Sequence, residues 1–177
     1  MSPRRRFALV TASLVAATAL GLTAQHVTLF RAESDSMRPG IDVGDIVVAE
    51  RYRGGALDRG EIVVFDDPGE WSEKVARLTG RAEVSSIFVK RIVALPGERV
   101  VCCDGDGRLS VDGRPLREEY RADAASLASI LALDVIVPDD AVFVLGDSRE
   151  ASVDSRYLGP VPLAAIVATG LAVIPAP

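Results

Sequence analysis

Two serines one residue apart, Ser34 and Ser36, open the stretch Ser34-Asp35-Ser36-Met37-Arg38-Pro39. A serine hydroxyl becomes a useful nucleophile only when a neighbouring base takes its proton. What this stretch could do therefore depends on the bases the chain can supply, and they are few. There is one histidine, His26, and there are two lysines, Lys74 and Lys90. A Ser-His-Asp triad or a histidine-based metal site would have to use His26, which stands at the end of an apolar segment and suits neither. A base working near neutral pH must then be a carboxylate or one of the two lysines. On local composition alone, Ser, Asp and Pro also spell an ordinary turn.

Lys90 is the informative lysine. It lies in Ser86-Ile87-Phe88-Val89-Lys90-Arg91-Ile92-Val93-Ala94-Leu95, where strand alternation puts it on the face of Phe88 and Ile92. Burial and a neighbouring cation both favour the neutral amine, which could accept a serine proton. The alternative is a lysine at a sheet edge whose stem lies on apolar surface while its head reaches water. Lys74 stands among Trp71, Ser72, Glu73 and Arg77 and reads as a surface lysine. A third segment, Gly146 to Gly159, is a polar loop between apolar runs, as expected of site-bearing segments on a rigid scaffold. Ser152 there could hydrogen-bond an amine, and Asp154 and Arg156 could pair to hold the loop. A solvated turn with local charge pairs is the other reading.

The elements that must position these groups read as mostly β. Runs rich in β-branched residues at 44–50, 60–65, 86–95, 99–103, 108–111 and 141–145 are bounded by Gly, Pro and Asp clusters, the signature of short strands and hairpins. Residues 70–84 fit a short helix or an exposed loop, and 122–133 a short helix or an insert. Leu163 to Ile174 is apolar, too short to span a bilayer, and bracketed by Pro162 and Pro175, which predicts a packed terminal element. The adjacent Cys102 and Cys103 match no zinc or redox spacing and read as two small thiols in a strand.

The 177 residues suit one domain plus an anchor. A net charge of −5 leaves no basic field for nucleic acid. The uncharged run Phe7 to Ala24, extended to Phe30, covers about 27 Å over its first 18 residues as a helix, close to a bilayer core of about 30 Å. A cleavable secretory signal is the competing reading, with a small-x-small site at Ala17 to Ala19. Arg4, Arg5 and Arg6 predict a cytoplasmic tail over 1–6, a membrane anchor over 7–30 and an extracytoplasmic domain over 31–177.

Taken together, these segments resemble the type I signal peptidases, membrane-anchored serine peptidases with a Ser/Lys dyad. Residues 34–39 look like the family's S-x-S-M-x-P motif. Arg59-Gly60-Glu61-Ile62-Val63-Val64-Phe65 is similar to R-G-D-I-V-V-F, with Glu for Asp. Phe88 to Glu98 resembles Y-I-K-R-V-I-G-L-P-G-D, with Ala94 for Gly, and Gly146 to Arg156 resembles G-D-N-R-x-x-S-x-D-S-R, with Ser148 for Asn.

That resemblance implies an antiparallel β catalytic domain behind one N-terminal transmembrane helix, with Ser36 as nucleophile and Lys90 as general base. It implies an oxyanion hole from the Ser34 hydroxyl and the Ser36 backbone N–H, Ser152 orienting Lys90, and Asp154 and Arg156 as a supporting pair. Neither metal nor cofactor is implied. Substrates would be signal peptides of secreted preproteins, cut after small residues of Ala-x-Ala type. Partners would be membrane lipid and the secretion translocon, with no nucleic acid. The enzyme would sit in the cytoplasmic membrane as a single-pass protein, N-terminus inside. Two other readings stay open: a dedicated maturation peptidase of the same superfamily, acting on a pilin or conjugation component, and an inactive membrane-tethered β-domain serving as an adaptor in secretion.

Overall fold

A computed structural model describes residues 26–121 and 126–177. Strands β1 (Val27–Arg31), β2 (Ile46–Arg51) and β3 (Ile62–Asp66) come first, followed by helix α1 (Trp71–Thr79). β4 (Ile87–Ala94), β5 (Arg99–Cys102), β6 (Leu109–Val111), β7 (Arg114–Pro115), β8 (Leu133–Ile136) and β9 (Ala141–Leu145) follow. Helix α2 (Ser155–Leu158), β10 (Val161–Pro162) and β11 (Ile166–Ile174) complete the order.

The strands form a seven-stranded sheet, β1-β2-β11-β3-β4-β9-β10, and a four-stranded sheet, β7-β6-β5-β8, each antiparallel at every pairing. Antiparallel neighbours need only tight connections. The turn at Pro96-Gly97 is one, with Gly97 at φ 79°, a conformation that favours glycine. The last strand does not lie at an edge. β11 threads between β2 and β3, which buries Ile166 and Ala168 and makes the apolar run before Pro175 a central strand.

Three apolar clusters fill the interior. One packs the small sheet onto β4 and β9 through Val100, Leu109, Val111, Phe143 and Leu145. A second gathers Phe65, Trp71, Phe88, Ile92 and Val144. The third sets Met37 and Ile41 against Val47, Ala49, Val64 and Ala168, so the chain around Ser36 is fastened to the sheet through its own apolar side chains.

Several expectations change here. Most of the anchor expected over 7–30 lies outside the described residues, but its last four, Val27 to Phe30, belong to strand β1 and pair with Val47 to Glu50. Their β-branched and aromatic side chains suit a pleated surface, and pairing with β2 satisfies their backbone. Among the described residues no helix is long and apolar enough to cross a membrane. Residues 71–79 are helical, whereas 126–132 contain no helix and bury Ala128 in the first cluster. Cys102 and Cys103 are joined in a disulfide rather than standing as two thiols.

Candidate active site

The loop 34–41 presents Ser36 because its neighbours are pinned. Met37 and Ile41 are buried, and the Ile41 N–H donates to the Met37 carbonyl at 3.0 Å. Arg38 is turned outward, where it pairs with Asp42. The strand pattern of β4 does the rest. Phe88, Lys90 and Ile92 face inward together, so the Lys90 amine emerges beneath the serine loop. Lys90 Nζ donates to Ser36 Oγ at 2.8 Å and to the Val89 carbonyl at 3.0 Å. Ser36 is 6 % exposed and Lys90 4 %. The Ser34 hydroxyl lies 3.1 Å from Ser36 Oγ, so the two serines and the amine form one hydrogen-bonded chain.

Burial drives the electrostatics. Removal from water pushes the Lys90 amine down to about 8, against the upward pull of the Asp154 and Asp147 carboxylates and with a smaller downward push from Arg156. About a tenth of the amine is then neutral at pH 7, and more above it, and able to take the Ser36 proton.

The loop after β9 closes over this pair. The Ser148 N–H donates to the Ser36 carbonyl at 3.0 Å, and the Gly146 N–H donates to Asp154 Oδ2 at 3.0 Å. Glycine is required at 146 by space: a Cβ there would lie 2.3 Å from Ser152 Oγ and 2.4 Å from the Ser36 carbonyl oxygen. Asp154 is fully buried. It accepts from the Arg156 N–H at the start of α2 and from the Arg156 guanidinium, Nε at 2.8 Å and Nη2 at 2.9 Å. The same guanidinium donates to the Arg149 and Ser152 carbonyls, so a paired buried charge also satisfies the loop backbone.

Ser34, Ser36 and Lys90 thus meet at one point, and Asp154 and Arg156 meet behind it. Ser152 is placed differently from the sequence expectation. It is 3 % exposed and stands against Gly146, but its hydroxyl makes no hydrogen bond to Lys90 and has no partner among the described residues.

A second tier was not legible in the sequence. Arg91 leaves the opposite face of β4 and grips Asp147 through Nε at 2.8 Å and Nη2 at 2.6 Å, with its guanidinium 4.2 Å from the Tyr120 ring centre. Arg149 pairs with Glu118, which also accepts from Arg121 and the Tyr120 hydroxyl. Glu118 comes from the chain beyond β7, so the small sheet reaches across to hold the loop around Ser36. The four consecutive charges and aromatics Arg117 to Tyr120 carry no periodicity that separates a buried carboxylate from a solvated one.

In front of the serine lies a cleft of about 480 Å³ lined on one side by Leu29 to Met37, at its base by Ile87 to Lys90, and at one end by Ala151 and Val153. Its size falls within the range of sites that enclose a ligand. A hydroxyl backed by a buried amine in such a cleft can perform acyl transfer through a covalent intermediate.

The model of the family described as signal peptidase, peptidase S26, matches residues 4–174. The chain is 36 % identical over 140 residues to a probable signal peptidase I-1 of Synechocystis, covering 78 % of this chain and 66 % of that one. It is 34 % identical over 155 residues to a signal peptidase I of Mycobacterium tuberculosis, covering 70 % and 52 %. It is 35 % identical over 136 residues to a probable chloroplastic thylakoidal processing peptidase 2 of Arabidopsis thaliana, covering 76 % and 34 %. The chain therefore spans between a third and two thirds of the length of these relatives. The crystal structure of a signal peptidase I from Enterococcus faecalis is similar at a TM-score of 0.48 and 28 % identity, over 63 % of this chain and 94 % of that one.

Proposed function

We propose that this chain, which belongs to the signal peptidase family, peptidase S26, is a serine endopeptidase that removes signal peptides from preproteins by a Ser36/Lys90 dyad. The observation that carries the reading is the 2.8 Å hydrogen bond from the Lys90 amine to Ser36 Oγ inside a buried site.

The geometry supports the following steps. Ser36 Oγ attacks the scissile carbonyl as its proton passes to Lys90 Nζ. The oxyanion is held by the Ser36 backbone N–H and by the Ser34 hydroxyl, which turns from Ser36 Oγ toward the new charge. Collapse expels the amine of the mature chain, protonated by the Lys90 ammonium, and leaves an acyl ester on Ser36. Water, deprotonated by Lys90, hydrolyses the ester and restores both groups. Ser152 orients the amine as it gains its third proton, a role supported by its buried, unpaired hydroxyl. Asp154 and Arg156 hold the loop that carries it.

An apolar cleft suits the extended end of a signal sequence, cut after small residues of Ala-x-Ala type. What supports membrane attachment, with lipid and the translocon as partners, is the uncharged run 7–24 behind Arg4 to Arg6. Exposed Val27, Leu29, Val43, Leu171 and Ile174 on β1, on the turn before β2 and on β11 add to it. The topology is single-pass with the N-terminus in the cytoplasm and the catalytic domain outside.

Incubation with a panel of preproteins, followed by sequencing of the new N-termini, tests the reading. Wild-type protein is expected to cut many of them after small residues. Ser36→Ala and Lys90→Ala are each expected to lose at least about 10³-fold in rate with the fold intact. Full activity in either variant removes the dyad, and cleavage of one preprotein only points to a dedicated maturation peptidase.

A further inference from the structure

The hairpin joining β3 to β4 is unusual for its length. Asp66 pairs with Ile87, yet the chain between them runs from 67 to 86, where a direct hairpin needs about two to five residues. The excursion is built rather than loose. Asp67 accepts from the Gly69, Trp71 and Ser72 N–H groups and from the Ser72 hydroxyl, capping α1. Trp71 is 3 % exposed and packs edge-on against Phe65 and Phe88, with ring centres 5.4 and 5.7 Å away. The first turn of α1 is thereby fixed to the sheet directly beside the strand that carries Lys90.

Trp71, Val75 and Thr79 are spaced by four and lie along one stripe of the helix. The stripe runs from the core into the cleft: Trp71 is part of the aromatic cluster, Val75 packs against its edge, and Val75 and Thr79 line the cavity that holds Ser36 and Lys90. On the return to β4, Val84 does the same. None of the three stretches that supply Ser34, Ser36, Lys90, Ser152, Asp154 and Arg156 includes these residues. The outward face of the helix carries the ion pairs Lys74–Glu70 and Arg77–Glu73 and the exposed Leu78.

We propose that the excursion 67–86 is a specificity wall, and that Val75 and Val84 set the size of the peptide side chain admitted beside the scissile bond. The inference rests on the peptidase reading of the Ser36 site. The wall acts by exclusion. The fixed first turn keeps α1 from backing away, so a branched side chain too large for the remaining space meets Val75 and, on the return to β4, Val84, whereas a small aliphatic one fills it.

Peptides identical except for Ala, Val or Leu at each of the three residues before the cleaved bond separate the outcomes. At one of those positions, Val75→Ala/Val84→Ala is expected to raise the Leu-to-Ala ratio of kcat/KM by about tenfold or more, in the range one or two methylenes confer in an apolar pocket. Val75→Phe is expected to lower the same ratio. Leu78→Ala, on the solvent side, is expected to leave it unchanged. Ratios within about twofold of wild type at all three positions in both cleft variants overturn the proposal.

The same series bound to Ser36→Ala protein, followed by anisotropy of labelled peptides, gives a readout independent of catalysis. A changed binding ratio in the valine variants upholds the wall, and if the protein with Ser36 intact cuts none of the peptides, that result removes the peptidase reading while the wall stands. An unchanged ratio, or no peptide bound at all, overturns the wall.

Discussion

The Lys90 amine hydrogen-bonds a serine that can use it only when the amine is neutral. Burial holds it at about 8 rather than 10.5, so the rate is expected to rise up to tenfold per pH unit below about 8 and to level above it. A kcat/KM profile flat between about pH 5 and 9 would remove Lys90 as the base. The stability of the fold carries the opposite face of the same shift. Below about pH 8 the folded chain must keep a charged ammonium buried. Between about 8 and 10.5 the folded state has released that proton while the unfolded state retains it, so stability rises with pH across this window. Lys90→Met is therefore expected to be inactive yet more stable at pH 7, by an amount on the order of 1–3 kcal/mol, the gain shrinking toward pH 10. Neither carboxylate nearby is orphaned by the change, since Asp154 keeps Arg156 and Asp147 keeps Arg91. Melting curves at pH 7 and 10 measure both signs. If Ser34 is an oxyanion donor, Ser34→Ala is expected to cost about 10²–10³ in kcat with KM little changed.

At the scale of elements, the site is a meeting of a loop, a strand and a second loop, each held by something else. The 34–41 loop is fastened by Met37 and Ile41, β4 by its neighbours β3 and β9, and the 146–152 loop by Asp154, Arg91 and Glu118. Gly146 is where the two loops touch. Gly146→Ala is expected to push Ser36 and Ser152 apart and lose about 10²-fold or more in kcat, because a displacement near 1 Å suffices for that. Overpacking also costs about 1–3 kcal/mol of stability. A Gly146→Ala enzyme with wild-type kcat would show that the loops tolerate separation. The buried charges around them are arranged as pairs with further hydrogen bonds, the condition under which burial of charge is tolerated.

For the whole molecule, the exposed Leu29 of β1 lines the same cleft as Ser36 and Lys90. If the chain is single-pass with its catalytic domain outside, a C-terminal epitope after Pro177 is expected to be digested by protease added to spheroplasts, while an epitope before Arg4 survives. The reverse pattern would invert the topology.

What the sequence determined by itself is whatever depends on near neighbours. Strand character at 44–50, 60–65, 86–95 and 141–145 follows from apolar runs rich in β-branched residues between turn clusters, which each segment carries within itself. The exclusion of histidine as base follows from counting, which leaves a carboxylate or one of two lysines. The inward aim of Lys90 follows from its place between Phe88 and Ile92 on an alternating strand. The undecided stretch 70–84 shows the limit: its helix is short, and its stripe of Trp71, Val75 and Thr79 becomes meaningful only beside Phe65 and Phe88. The reading of an anchor to Phe30 failed at its end for a related reason, since apolar residues suit a span and a strand alike until β2 appears as a partner. Tertiary structure alone decided that β11 lies between β2 and β3, that Glu118 reaches Arg149 across the two sheets, and that the Ser152 hydroxyl has no partner among the described residues. It also set Ser36 2.8 Å from Lys90 across 54 residues of sequence. Contacts between segments far apart in the chain are set by packing of the whole, and no local pattern records them.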